Sequence, residues 1–208
     1  MASVVLWGLD GTLVDNERLR EAALVEALAT VGSRTPIDCR AIIAGRDTRD
    51  IHRWCVRELG LGLGFEDWRR LIYRHYFARA GSLSPREGAV DLFVHLERHG
   101  RVQAVVANSD RRIVQANLDA LGLNDPGRIT VSRNDVRCGK PAPEPHRRAA
   151  WLLGAAPAEC VVVEDSPTGA AAGVAAEMRT LFWPQTETPT PKGAERVTDM
   201  AGLWRALA

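Results

Sequence analysis

The run Val4-Val5-Leu6-Trp7-Gly8-Leu9-Asp10-Gly11-Thr12-Leu13-Val14-Asp15 constrains this chain more than any other part of it. An apolar stretch stops at Gly-x-Asp-Gly-Thr, and a charged pattern with helical spacing follows from Glu17. Short apolar runs closed by turn residues are strands buried on both faces, the kind found inside a parallel sheet. Open α/β sheets take their ligands at the carboxyl ends of such strands. Asp10 is therefore expected at a ligand site, with Gly11-Thr12 turning the chain there.

Two rhythms follow. From Glu17 to Gly81 there is no strand-like run, only helical patterns at 17–31, 48–59 and 65–80, with Asp38 placed to cap a short helix ending near Gly45. After Ser84-Pro85 strands and helices alternate: strands at 102–107, 129–131, 160–163 and 180–183, and helices at 88–99, 111–121, 144–153, 167–176 and 199–207. The stretch 184–192 reads as a polar loop. Repeated βα units with right-handed crossovers make a doubly wound parallel sheet. The expected fold is α/β, with a core built from 1–16 and 85–208 and an all-helical cap inserted at 17–84.

Polar residues stand just after several of these strands: Asp10, then Asn108-Ser109-Asp110, then Glu164-Asp165-Ser166-Pro167-Thr168-Gly169. Lys140 lies in a Cys-Gly-Lys-Pro-Ala-Pro-Glu turn. Together these segments resemble the haloacid dehalogenase (HAD) superfamily over nearly the whole chain, within its phosphoglycolate-phosphatase and β-phosphoglucomutase-like subgroup. That family opens on Asp-x-Asp-Gly-Thr, where the first Asp is the nucleophile and the second the general acid/base. Here the second is Asp10, while Gly8 stands at the nucleophile position and has no side chain to phosphorylate. The resemblance implies that Lys140 is the lysine that pairs with nucleophile and phosphate. It implies Glu164 and Asp165, with the main-chain carbonyl of Asp10, as ligands of Mg²⁺. Gly11 and the backbone of Asn108 and Ser109 are expected around the phosphate. Ala107 stands where the family keeps a Ser or Thr hydroxyl, a second and independent loss. With one anionic ligand fewer, Mg²⁺ binding is expected to be weakened.

Arg46, Arg49, Arg53 and Arg57 recur at helical spacing. They are either a solvated face or a substrate-facing stripe, with Arg46 the expected contact for an acidic group. The expected activity is that of a HAD-like hydrolase on a small phosphorylated or acidic metabolite. Asp10 would be the acid/base, aspartyl-phosphate chemistry would be lost, and a water would have room beside Gly8. The alternatives are a non-catalytic pseudoenzyme of the same fold, or an ordinary Mg²⁺-dependent phosphatase carrying an introduced Gly8. A net charge of +1 over 208 residues points away from nucleic acid. No apolar segment reaches the ~20 residues of a membrane span, so a cytoplasmic monomer or homodimer with a small-molecule substrate is expected. Cys39, Cys55, Cys138 and Cys160 lack metal-ligand spacing and read as reduced thiols.

Overall fold

Every side chain of β1 (Val4–Trp7) is buried, and this places the strand in the middle of the sheet. It pairs in parallel with β4 (Val102–Val106) on one side and β6 (Cys160–Glu164) on the other. β5 (Ile129–Val131) extends the sheet beyond β4. β7 (Arg179–Phe182) and β8 (Glu195–Arg196) extend it beyond β6, giving the all-parallel order β5-β4-β1-β6-β7-β8. The structure, a computed structural model, describes residues 4–36, 38–43 and 45–208. Residues 1–3 of the expected core and Ala44 of the expected short helix lie outside the described residues. β8 has no counterpart in the sequence pattern, because both its side chains are exposed and it joins Leu181 and Phe182 by backbone pairing.

Alternation along β1 divides two cores. Val5 and Trp7 pack with α5 (Ala89–Arg98), α6 (Arg111–Ala120) and α9 (Met200–Leu207) through Leu92, Phe93, Leu118 and Leu203. Val4 and Leu6 face the opposite way, toward Ala149 and Ala150 of α7 (Glu144–Leu152). The buried Trp7 indole donates to Gln103 Oε1 at 2.8 Å, and Gln103 Nε2 in turn donates to the Phe93 carbonyl at 3.0 Å. That chain of partners removes the cost of burying an amide. Beside β6 and β7, α8 (Pro167–Ala175) is made of small residues and lies close to the sheet. A Cβ at Gly173 would come within 2.6 Å of Thr180 Oγ1 and 3.0 Å of Val162 Cγ1.

Between β2 (Val14–Asp15) and β3 (Ser84–Pro85) run α1 (Glu17–Thr30), α2 (Cys39–Ile43), α3 (Thr48–Leu59) and α4 (Phe65–Phe77). Leu24, Leu28, Ile51, Cys55 and Trp68 form their shared core. Asp38 accepts from Ala41 N at 2.9 Å at the start of α2, and Asp47 accepts from Asp50 N at 2.8 Å at the start of α3. The two strands β2 and β3 pair antiparallel and make a narrow neck where this segment leaves and rejoins the sheet. At two residues each they carry no periodicity that a sequence pattern reveals. Side-chain contacts hold the segment over the carboxyl edge of the sheet. Tyr76 donates to Asn117 Oδ1 at 2.6 Å, Tyr73 donates to Asp110, and Arg133 Nε donates to Asp47 Oδ2 at 2.7 Å. Among the described residues no helix is long and apolar enough to cross a membrane.

Candidate active site at the carboxyl edge of the sheet

The loops after β1, β4 and β6 end their strands at the same edge. They bring Asp10, Asn108, Ser109 and Asp165 to one cleft, where Glu164 is the last residue of β6, and the loop after β5 adds Lys140. Arg20, Ile43 and Arg46 close it from the helical segment. Of the residues expected at the site, Gly11 and Gly8 do not line the cleft. They lie behind it, under Asp165 and Glu164 respectively.

Asp10 is held by three donors. Ser109 Oγ donates to Oδ2 at 2.6 Å, and Asn16 Nδ2 and Asn117 Nδ2 donate to Oδ1 at 2.5 and 3.0 Å. Asn16, Asn117 and Tyr76 are buried and form the second layer of this network, with Asn16 Nδ2 donating to the Tyr76 hydroxyl at 3.0 Å. Sequence reasoning did not single out Asn16 or Asn117. The signal was available for Asn117, an amide on the same helical face as Val114, Leu118 and Leu121.

Lys140 and Glu164 form an ion pair with side-chain exposures of 6% and 3%. Lys140 Nζ also donates to the Val106 carbonyl at 2.7 Å. Burial opposes ionisation of Glu164, but the ammonium of Lys140 and the contact with His146 outweigh it and hold the carboxyl below its ordinary value. His146 Nε2 lies 3.6 Å from Glu164 Oε1, and burial lowers the imidazole below its ordinary value. The expectation of a water beside Gly8 is corrected here. A Cβ on Gly8 would meet Thr12 Oγ1 at 2.7 Å and Glu164 Oε2 at 2.9 Å, so side chains already fill that space.

Asp165 packs against Gly11 and accepts from Thr12 Oγ1 at 3.0 Å. Burial first, and the charge of Glu164 second, push its carboxyl up to about 7. An unfolded Asp titrates near ~3.9. The folded chain therefore keeps a proton that the unfolded chain releases, and the associated stability is complete below about pH 4 and lost as pH rises to about 7. Asp165→Asn is expected to remove that dependence. In urea unfolding the variant should gain on the order of 4 kcal/mol on wild type between pH 4 and 7.5. A stability difference that does not change with pH would contradict it.

The Mg²⁺ set implied by the resemblance is incomplete. Asp165 offers the hard carboxylate oxygen that Mg²⁺ prefers. Glu164 is spent on Lys140 and Gly8 offers no oxygen, which leaves Asp165 and the main-chain carbonyl of Asp10. Among the described residues no three His, Cys, Asp or Glu side chains converge as a metal site. As they stand, these residues do not fit a full Mg²⁺ site.

The arginine stripe separates on inspection of its surroundings. Arg53 pairs with Asp50, Arg57 pairs with Glu58 at 2.5 Å, and Arg49 lies 3.9 Å over the Phe65 ring. Of the four, Arg46 alone lines the cleft. Its backbone is propped there by Arg20, which donates to the carbonyls of Ile43 and Arg46 at 3.1 Å each. The side chain of Asn108 ties loops together: Nδ2 donates to the carbonyls of Lys140 and Gly45, while Oδ1 accepts from Lys140 N at 2.8 Å. Its contribution to a ligand is left to the backbone. The buried Ala107 follows β4 with its N–H on the Val131 carbonyl at 2.8 Å and offers no hydroxyl. Cys39, Cys55 and Cys160 are buried free thiols, and Cys138 is exposed.

Residues 2–177 match the sequence profile of haloacid dehalogenase-like hydrolases. Hexitol phosphatase A of Escherichia coli is 32% identical over 183 residues, which cover 82% of this chain and 78% of that protein. The fold is similar to that of CbbY from Rhodobacter sphaeroides in complex with phosphate, with a TM-score of 0.86, 25% identity, and 98% and 99% of the two chains covered. It is also similar to a HAD family hydrolase from Deinococcus radiodurans R1 with bound phosphate and sodium. There the TM-score is 0.73 at 28% identity, over 99% and 94% of the two chains.

Proposed function

This chain belongs to the haloacid dehalogenase-like hydrolases, and from that premise we propose that it binds a small phosphorylated metabolite between sheet edge and helical segment, with Asp10 as proton donor and acceptor. The observation that carries this reading is the gathering of Asp10, Ser109, Lys140 and Arg46 around one cleft from four separate parts of the chain. The backbone N–H groups of Asn108 and Ser109 take no acceptor among the described residues and suit phosphate oxygens. In this reading residues 17–84 serve as a cap over a core of 1–16 and 85–208. Behind the cleft a mostly apolar chamber, walled by Leu24, Ile51, Trp68 and Ile113, adjoins it through Arg20, Arg46 and Ser109.

The chemistry assigned to this chain's own residues is limited. Arg46 and the Asn108–Ser109 backbone orient the phosphate. Asp10, anchored by its amide and hydroxyl donors, is placed to hand a proton to a departing alkoxide and to take one from an attacking water. No phosphoenzyme forms through position 8. Mg²⁺ association at Asp165 is weak, for want of the other carboxylates. A second reading, a ligand-binding protein without turnover, is favoured by one observation: Thr12 and Glu164 fill the space beside Gly8 that an attacking water was expected to take.

The two readings separate by measurement. Wild type is titrated with inorganic phosphate by calorimetry and assayed on a panel of sugar, acid and aryl phosphates. Asp10→Asn is expected to lower turnover at least ~10²-fold while phosphate affinity stays within about threefold. Binding without turnover by wild type would establish the second reading, and absence of both would remove the site assignment.

A further inference from the structure

Position 8 has no side chain, yet a carboxylate stands where one would go. A Cβ on Gly8 would lie 2.9 Å from Glu164 Oε2, and a Cβ on Gly169 would overlap the same carboxylate from the other side. These two glycines are the walls of the slot in which Glu164 lies. Its other oxygen, Oε1, pairs with Lys140 Nζ. His146 backs that oxygen at 3.6 Å, and neither ring nitrogen of this buried histidine has a hydrogen-bond partner among the described residues.

The arrangement answers an electrostatic requirement. A buried ammonium without a counter-ion is strongly destabilising. Of the three N–H donors of Lys140, one is on the Val106 carbonyl and one on Glu164. The neighbouring carboxylates are committed elsewhere, Asp10 to Ser109, Asn16 and Asn117, and Asp165 to Thr12. Glu164 is the carboxylate that reaches Lys140, and it does so through the volume that glycine leaves open at position 8.

Resting on the reading of this cleft as a phosphate site, we propose that Glu164 takes up the place and the charge of the carboxylate absent at position 8, as an internal anion on Lys140 that an incoming phosphate must displace. Glu164 is then a positioning residue: it holds the ammonium at the end of β4 and keeps the pair neutral until a ligand arrives. A role for Glu164 only as a metal ligand makes the opposite prediction, since removing its charge would then leave metal-free phosphate binding unchanged or weaker.

The test is calorimetric titration of inorganic phosphate in buffer with a chelator, on wild type, Glu164→Gln, Gly8→Ala and the double variant, each checked by thermal unfolding. Glu164→Gln keeps the shape and removes the charge, and is expected to bind phosphate at least about fivefold more tightly than wild type. Gly8→Ala, whose methyl group displaces the Glu164 carboxylate, should tighten binding in the same direction. In the double variant the two effects should overlap rather than multiply, because both free the same ammonium. Glu164→Gln binding no more tightly than wild type, or independent multiplication of the two effects, would overturn the inference and leave the phosphate site standing. If none of the four proteins binds phosphate, the phosphate site itself falls. Should Gly8→Ala fail to fold, the comparison of Glu164→Gln with wild type decides alone.

Discussion

A Gly8→Asp, Ala107→Ser double variant is expected to gain Mg²⁺-dependent hydrolysis of an aryl phosphate, at least ~10²-fold above wild type. The new carboxylate enters a space now filled by Glu164 and Thr12, with Cβ clearances of 2.9 and 2.7 Å. It cannot be accommodated until Glu164 leaves Lys140. Lys140 then takes the aspartate as its partner, and Glu164 is released to join Asp165 and the new side chain. One substitution thereby returns both a nucleophile and a third carboxylate, so Mg²⁺ affinity should rise together with activity. The serine adds the hydroxyl missing at the end of β4, and the double variant should exceed Gly8→Asp alone. Loss of a covalent nucleophile costs on the order of 10⁶ in turnover, and the recovery is partial because the surroundings have settled around Glu164. Without Mg²⁺ the clustered carboxylates should lower the melting temperature, and added Mg²⁺ should restore it. A folded double variant that binds Mg²⁺ but yields neither hydrolysis nor an acid-stable, base-labile phosphoenzyme would show that the pocket no longer supports this chemistry. Wild type turning over the same ester as fast as the double variant would show that position 8 does not govern activity.

Arg86→Met is expected to destabilise the fold by about 2–4 kcal/mol in urea unfolding. The guanidinium, from the turn just after β3, donates to the carbonyls of Gly11 at 3.0 Å, Trp183 at 2.6 Å and Pro184 at 3.3 Å, and lies 3.2 Å over the Trp183 ring. Burial pulls its pKa down to about 10, against the field of Asp165 that raises it, so the group remains charged at neutral pH. Methionine fills much of the volume but leaves carbonyls short of donors. Gln185 Nε2 at 2.9 Å covers Gly11 only. Removing a buried charge recovers some desolvation energy, which is why the expected loss is smaller than three full unsatisfied groups. Arg86→Lys should recover less than half of it, since an ammonium cannot fork across carbonyls of two loops. A change under about 0.5 kcal/mol in Arg86→Met would show that these bonds contribute little. The same anchor sets the height of the Asp10–Gly11 turn, so this variant should also weaken phosphate binding.

The apolar run before Asp10 and the alternation of strands and helices after Ser84 determined the parallel sheet, because burial on both faces leaves each strand a continuous apolar signature. Strand-end polar residues then pointed to the candidate cleft, since a parallel sheet delivers all its carboxyl ends to one edge. Elements of two residues escaped this reading: β2, β3 and β8 are held by backbone pairing and have no side-chain period of their own. Asn16, Asn117, Thr12 and His146 also escaped it. Their importance lies in what they face in space, as Asn117 meets Asp10 across 107 residues and Thr12 meets Asp165 across 153, and local spacing carries no trace of that. The arginine stripe shows the converse. Its spacing was visible, but neighbours on the same helix and the Phe65 ring engage Arg49, Arg53 and Arg57, while Arg46 turns to the cleft. The sequence sets Gly8 at the position where the family resemblance implies a nucleophile. That the vacant volume is taken by Glu164, and that Lys140 thereby keeps a counter-ion, was decided by the tertiary structure alone, because a side chain's rotamer answers to the charges and free space around it.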